Sequence, residues 1–158
     1  MTGRGPLVAL LALLTIAPAP AVAQSAAGVV DALPFRELGP TLMGGRVADL
    51  DVHPDNPAHW YVGFASGGLW RTTSHGMSWE PLWDDQPNAS IGDVTLAPSN
   101  SNVIWVGTGE PQNRQSSPYG GGVYRSVDGG RTWVDVGLGE THHIGKIVVH
   151  PQDPDVAW

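Results

Sequence analysis

The side chains best suited to acid–base or ligand chemistry fall into three short stretches. Gly109 to Gly120 carries Glu110, Asn113, Arg114 and Tyr119; Trp83 to Ser90 carries Asp84 and Asp85; Gly137 to His143 carries Glu140, His142 and His143. A carboxyl group can exchange a proton with a reacting group, and cationic or imidazole side chains can hold what it acts on. Glu110 is therefore the candidate catalytic residue, with Arg114 and His143 as substrate contacts. Asp84, Asp85, Asn113, Arg114, Tyr119, His142 and His143 make up the candidate ligand-binding set. Each has a plainer reading. Asp84-Asp85-Gln86-Pro87 is turn-forming, and that reading is favoured. Glu110 and Arg114 can pair at the surface, a contact worth little. Adjacent His142 and His143 tempt a metal assignment, but neighbours on an extended strand point apart, one inward and one toward the loops. No metal and no cofactor is expected. His53, His59, His75 and His150 sit beside turns and need no ligand role.

The elements that must position these stretches come from a repeat. Ser126-Val127-Asp128-Gly129-Gly130-Arg131-Thr132-Trp133 has a worn copy upstream, Thr72-Thr73-Ser74-His75-Gly76-Met77-Ser78-Trp79. Each follows a Gly-Gly-apolar-aromatic-Arg run, Gly67 to Arg71 and Gly121 to Arg125. Further out, Val47 to Pro54 recurs as Ile91 to Pro98 and again as Ile144 to Pro151, each followed by a Trp (Trp60, Trp105, Trp158). The step from Pro54 to Pro98 is 44 residues, the period of a four-stranded propeller blade. The next step, to Pro151, is 53, and the excess lies in Gly109 to Gly120, a loop insertion.

The expected fold is therefore all-β, a β-propeller of four-stranded antiparallel blades. Blade one spans 43–85, with strands Arg46 to Val52, Trp60 to Ala65, Gly68 to Thr73 and Met77 to Leu82. Blade two spans 91–136, with strands Asp93 to Ala97, Val103 to Gly107, Gly122 to Ser126 and Thr132 to Val136. Blade three opens at 144 and runs to 158. Two blades and a part cannot close a ring, so the expectation is an N-terminal fragment, with the rest of the propeller in the same chain. In up-and-down blades the octapeptide turns lie on one face. The Gly109–Gly120 insertion and the two blade-exit stretches lie on the other, where long loops on a rigid scaffold bind ligands.

Residues 1–23 read as a cleaved signal peptide: Arg4, an apolar run from Leu7 to Ile16, and Ala21-Val22-Ala23 before Gln24. The run is too short to span a membrane, so export to the periplasm, cell surface or medium is expected. Residues 24–42 form a lead-in with a belt strand around Pro34 to Pro40. Cysteine is absent, which suits an exported protein without disulfides. Without Arg4 the chain carries seven basic and fifteen acidic side chains, a surface that repels phosphate backbones and excludes nucleic acid as a partner. Asn88-Ala89-Ser90 is a glycosylation sequon in a suitable host.

Within each octapeptide the paired glycines, or His75-Gly76, suit a tight turn. Asp128 and Ser126 can accept backbone N–H groups, and Trp133 can fill the gap between sheets. The set Ser126, Asp128, Gly130, Thr132 and Trp133, with Thr72, Ser74, Gly76, Ser78 and Trp79, is read as structural, and the Ser74 turn as the weaker. This octapeptide resembles the Asp-box, or BNR repeat. With Asp84 to Pro87, Ser90 to Asp93, Gly107 to Ser117 and Thr141 to Gly145, the chain from about Phe35 to Trp158 resembles exported Asp-box propellers of the sortilin N-terminal-like or glycosyl hydrolase-like kind. That resemblance implies a scaffold for a peptide, protein or glycan ligand. The alternative it implies is a glycoside hydrolase, xyloglucanase- or sialidase-like, completed by further blades. In the xyloglucanase-type pattern a catalytic Asp precedes the first blade's Gly-Gly, where this chain has Ala65-Ser66. The sialidase pattern Phe-Arg-Ile-Pro is left after two residues at Phe35-Arg36-Glu37-Leu38.

Overall fold

The computed structural model describes residues 45–158. The expected signal peptide, the expected lead-in and belt strand, and the first two residues assigned to blade one lie outside the described residues.

Two four-stranded antiparallel sheets follow one another, each in simple up-and-down order. The first contains β1 (Val47–Val52), β2 (Trp60–Phe64), β3 (Gly68–Thr72) and β4 (Glu80–Pro81); the second contains β5 (Ile91–Ala97), β6 (Asn100–Thr108), β7 (Val123–Ser126) and β8 (Val134–Gly137). Each sheet is one propeller blade. Val62 lies opposite both Leu50 and Trp70, and Val106 opposite both Val94 and Tyr124, so the two sheets repeat one register. The central strands β2 and β6 are buried over most of their length, as expected of apolar runs covered on both faces. A third repeat begins with an antiparallel pairing of Val149 and Ala157, backed by the Val148 N–H on the Trp158 carbonyl at 2.8 Å.

Strand ends depart from the periodic reading in one informative place. Met77 to Leu82 alternates, yet only Glu80–Pro81 pairs as strand, and Met77 is 90% exposed. The turn before it holds Gly76 to Trp79 out of the sheet. Conversely, β6 extends back to Asn100 and β5 to Ile91, beyond the alternating cores of those strands.

The blades bury their faces against each other. Tyr61, Leu69 and Trp83 from blade one meet Ile91, Val94, Ile104, Val106 and Tyr124 from blade two, and Trp133 packs at the edge of that cluster. A ring of this size removes roughly 150–250 Å² from water. Trp133 sits edge-on to Trp83 at 4.9 Å and donates its indole N–H to the Leu82 carbonyl at 2.9 Å. Trp105, Val123, Ile147 and Val149 form the matching cluster between blade two and the third repeat.

The innermost strands are joined differently, by carboxylates. Asp49 accepts the Val94 N–H at 3.1 Å, and Asp51 accepts the Leu96 N–H at 2.8 Å. One repeat later, Asp93 accepts the Ile147 N–H at 3.0 Å and the Thr95 hydroxyl at 2.9 Å. An inner strand is an edge strand, and its outward amides need partners. Here the preceding blade supplies them. Asp93 is buried and also takes the Lys146 ammonium at 2.8 Å, which raises the Lys146 pKa. Burial, and then the negative charge of Asp93, push the Asp49 carboxyl up despite its amide contact.

The octapeptide turns share a backbone and differ in chemistry. Ser126 Oγ accepts the Gly130 N–H at 2.9 Å, and Asp128 Oδ1 accepts the N–H groups of Arg131 and Thr132, both at 2.9 Å. The Thr132 hydroxyl donates to Asp128 Oδ2 at 2.6 Å. In blade one Thr72 Oγ1 accepts the Gly76 N–H at 2.9 Å, and Ser74 Oγ accepts the Ser78 N–H at 2.9 Å. A neutral hydroxyl thus replaces a carboxylate. The left-handed pair Gly129 (φ 74) and Gly130 (φ 88) becomes His75 (φ 55) and Gly76 (φ 83), which puts a Cβ in a conformation that side chains disfavour. The contacts from Thr132, followed by those from Ser126 and Arg131, lower the Asp128 pKa to about 2. Replacing Asp128 with Ala should lower stability by about 1–3 kcal/mol, toward the low end because the turn is partly solvated. A depressed carboxylate stabilises above its unfolded pKa of about 4. The difference between wild type and Asp128→Ala in urea melts should therefore hold at neutral pH and vanish as pH falls through about 2. A difference that does not change with pH would contradict this.

Candidate functional site

The insertion leaves the blade at the end of the central strand β6. Thr108 is fully buried; its hydroxyl donates to the Gly122 carbonyl at 2.7 Å and accepts the Gly121 N–H at 2.8 Å, closing the base of the loop. Gly109 (φ +87) follows, and a Cβ there would collide with the His142 carbonyl, which accepts the Gly120 N–H at 2.8 Å. Only glycine lets the 142–144 segment lie this close. Ile144 N–H then reaches the Thr108 carbonyl at 3.0 Å. The insertion and the entry to the third repeat are thereby tied together.

Glu110 turns inward. Its amide is close to both the Ser90 hydroxyl and the Pro118 carbonyl, each at 3.1 Å, and its side chain has no exposure. Glu110 Oε1 takes Arg46 Nε at 2.8 Å and also Arg46 Nη2, joining the start of β1 to blade two; Oε2 is buried without a partner. The expected surface pair of Glu110 with Arg114 is not formed: Arg114 is exposed, and Glu110 is held by a residue 64 positions away. A carboxyl group closed off in this way positions Arg46, whose side chain is 44% exposed.

Beyond Glu110 the loop frames a cleft of about 390 Å³ whose lining includes Asn113, Arg114, Tyr119 and His143. Tyr119 is 64% exposed and stacks on His142, with ring centroids 4.3 Å apart and an interplanar angle of 28°. His143 tilts against the same ring at 5.3 Å. Both histidines are exposed and both meet Tyr119, so the expectation that one packs inward is corrected: residues 142–146 are irregular chain, and strand alternation does not apply. Among the described residues no group of three His, Cys, Asp or Glu could hold a metal ion.

Asp84 and Asp85 do not join this cleft. They are exposed just after the buried Trp83, in a turn where the Gln86 N–H meets the Trp83 carbonyl at 3.1 Å. There they border a separate groove of about 470 Å³, shared with Arg131, Thr132 and Trp133 of the blade-two turn. Only the far end of their connection, at Ser90, reaches the insertion. Ser90 is itself buried with its hydroxyl engaged, and Asn88 of the sequon is half-buried. Glu140 is exposed and lines neither cleft.

Sequence reasoning missed Arg46 and Ser90 as parts of the site. Arg46 read as a strand residue; an isolated cation beside the Gly44-Gly45 pair was the available signal. His53, expected to need no ligand role, has a structural one: its Nε2 lies 2.7 Å from the Ser101 hydroxyl of the next blade, and its Nδ1 accepts the Asp55 N–H at 3.2 Å. With Nδ1 accepting, Nε2 carries the proton, so the imidazole donates to Ser101 and does not activate it.

No protein-family model matches the chain. A xyloglucanase of Acetivibrio thermocellus is 30% identical over 116 residues, covering 64% of this chain and 14% of the xyloglucanase. The chain thus spans about 14% of the length of the curated relatives it matches. Among solved structures, an ancestral GH74 enzyme aligns with a TM-score of 0.54 at 23% identity, over 66% of this chain and 14% of that one. A GH74 xyloglucanase from Xanthomonas campestris aligns with a TM-score of 0.53 at 21% identity, over 72% of this chain and 19% of that one. The fold is accordingly a β-propeller.

Removing Arg46 strands a buried carboxylate, whereas removing Arg114 does not. Arg46→Ala should cost about 3–5 kcal/mol in denaturant melts, and Arg114→Ala less than about 0.5 kcal/mol. Equal losses would contradict the buried pairing.

Proposed function

We propose that this chain forms blades of an exported propeller that binds glycan chains, with the Gly109–Gly120 cleft as a contact surface. The carrying observation is the exposed Tyr119 ring, stacked on His142 at the edge of a cleft lined by amide and guanidinium side chains. Sugar rings present apolar C–H faces that pack on aromatic planes, while their hydroxyls take donors and acceptors from such groups. That a relative at 30% identity is a xyloglucanase supports a polysaccharide over a peptide as the ligand.

The same relative favours a second reading, hydrolysis of the bound chain. Two features weigh against it in these blades. Ala65 and Ser66 stand where the xyloglucanase-type pattern has its Asp, and the Glu110 carboxylate is closed off by Arg46. Hydrolysis on this fold would need carboxylates on either side of the scissile bond, which further blades would have to contribute.

Calorimetric titration of the full-length protein with xyloglucan oligosaccharides, alongside a reducing-end assay, tests both readings. Saturable binding without product release is expected, and Tyr119→Ala should weaken it by about tenfold. Product release that is lost in Glu110→Gln would favour the hydrolase. Binding of peptides with no glycan binding would overturn the proposal.

A further inference from the structure

We propose that the cleft selects glycans bearing a carboxylate, such as uronic-acid residues, over neutral ones; this rests on the glycan-binding reading above. The chain as a whole is acidic, with a formal charge of −7, yet the cleft has the opposite character. Its lining holds a single carboxylate, Glu110, whose side chain is fully shielded and already compensated by Arg46. Arg71, Arg125 and Lys146 are likewise each committed to a carboxylate. Arg114 is not: it is exposed, lines the cleft and holds no acidic partner among the described residues. A ligand entering here meets one uncompensated charge, and it is positive.

The neighbours of Arg114 favour a sugar acid over a free anion. Tyr119 offers a ring face, fixed on one side by stacking on His142, against which a pyranose can lie. Asn113 and His143 line the same cleft and can donate to hydroxyls. A guanidinium pairs with a carboxylate through two parallel N–H bonds, a geometry that a hydroxyl cannot match. Position 114 therefore sets selectivity, and position 119 sets affinity for any glycan.

The experiment compares two probes on the full-length protein: a glucuronic-acid-bearing xylo-oligosaccharide and the same oligosaccharide without the acid. The acidic probe should bind about tenfold more tightly, and its advantage should shrink as salt is raised. Arg114→Gln should abolish that advantage, so that the acidic and neutral probes bind the variant equally; Tyr119→Ala should weaken both. Equal affinity for the two probes in the wild type would overturn the selectivity and leave glycan binding standing. An advantage that survives in Arg114→Gln would overturn the role of Arg114. Failure of both probes to bind would overturn this inference together with the glycan reading.

Discussion

A propeller's innermost strands are edges, and each must find partners for a row of amides that its own sheet leaves unpaired. In this chain the partners are carboxylates on the inner strand of the preceding blade. Asp49 and Asp51 hold the amides of Val94 and Leu96, and Asp93 holds that of Ile147. The bond runs from one repeat to the next, so each blade completes its successor. It also fixes register: a one-residue slip of β5 would turn both amides away from both acids. Each carboxylate accepts an N–H in a partly dehydrated setting, where leaving either group unmade costs more than the bond contributes.

The remaining contacts between blades depend on that register. With β1 and β5 locked, Trp133 meets Trp83 and the Leu82 carbonyl, and Arg71 and Tyr61 reach the Gly129 carbonyl at 3.0 and 3.4 Å. On the opposite face, the ordered exit from β6 lets Thr108, Gly109 and Ile144 tie the insertion to the third repeat. The cleft is thus built from two consecutive repeats and closed beneath by Glu110 and Arg46, which span the other pair. Its chemistry sits on loops, and its geometry is set by strands.

Much of this was legible in the sequence because repetition makes pattern visible. The 44-residue step, the Gly-Gly-apolar-aromatic-Arg runs and the two octapeptides locate both blades and their turns, and the insertion stands out as the one break in period. What could not be read was pairing across repeats. Asp49 and Asp51 look like ordinary alternation, since nothing local tells an acid that faces water from one that faces a neighbour's amide. Glu110 and Arg46 are 64 residues apart, whereas Arg114 is the cation that sequence proximity offers to Glu110. Strand alternation does not hold at His142 and His143, which lie in an irregular segment packed closely against Gly109. Asp84 and Asp85 lie on the expected connection, yet they border the groove beside the blade-two turn at Arg131 to Trp133, not the cleft of the insertion.

The most direct test of the account is amide hydrogen exchange at the inner strands. Wild type is compared with Asp51→Ala and Asp93→Ala in the full-length protein under native conditions. Protection should fall at Leu96 in the first variant and at Ile147 in the second, one blade beyond each substitution, with the substituted strand itself little changed. Loss confined to the mutated blade, or no loss at either amide, would contradict the claim that each blade's carboxylates hold the next.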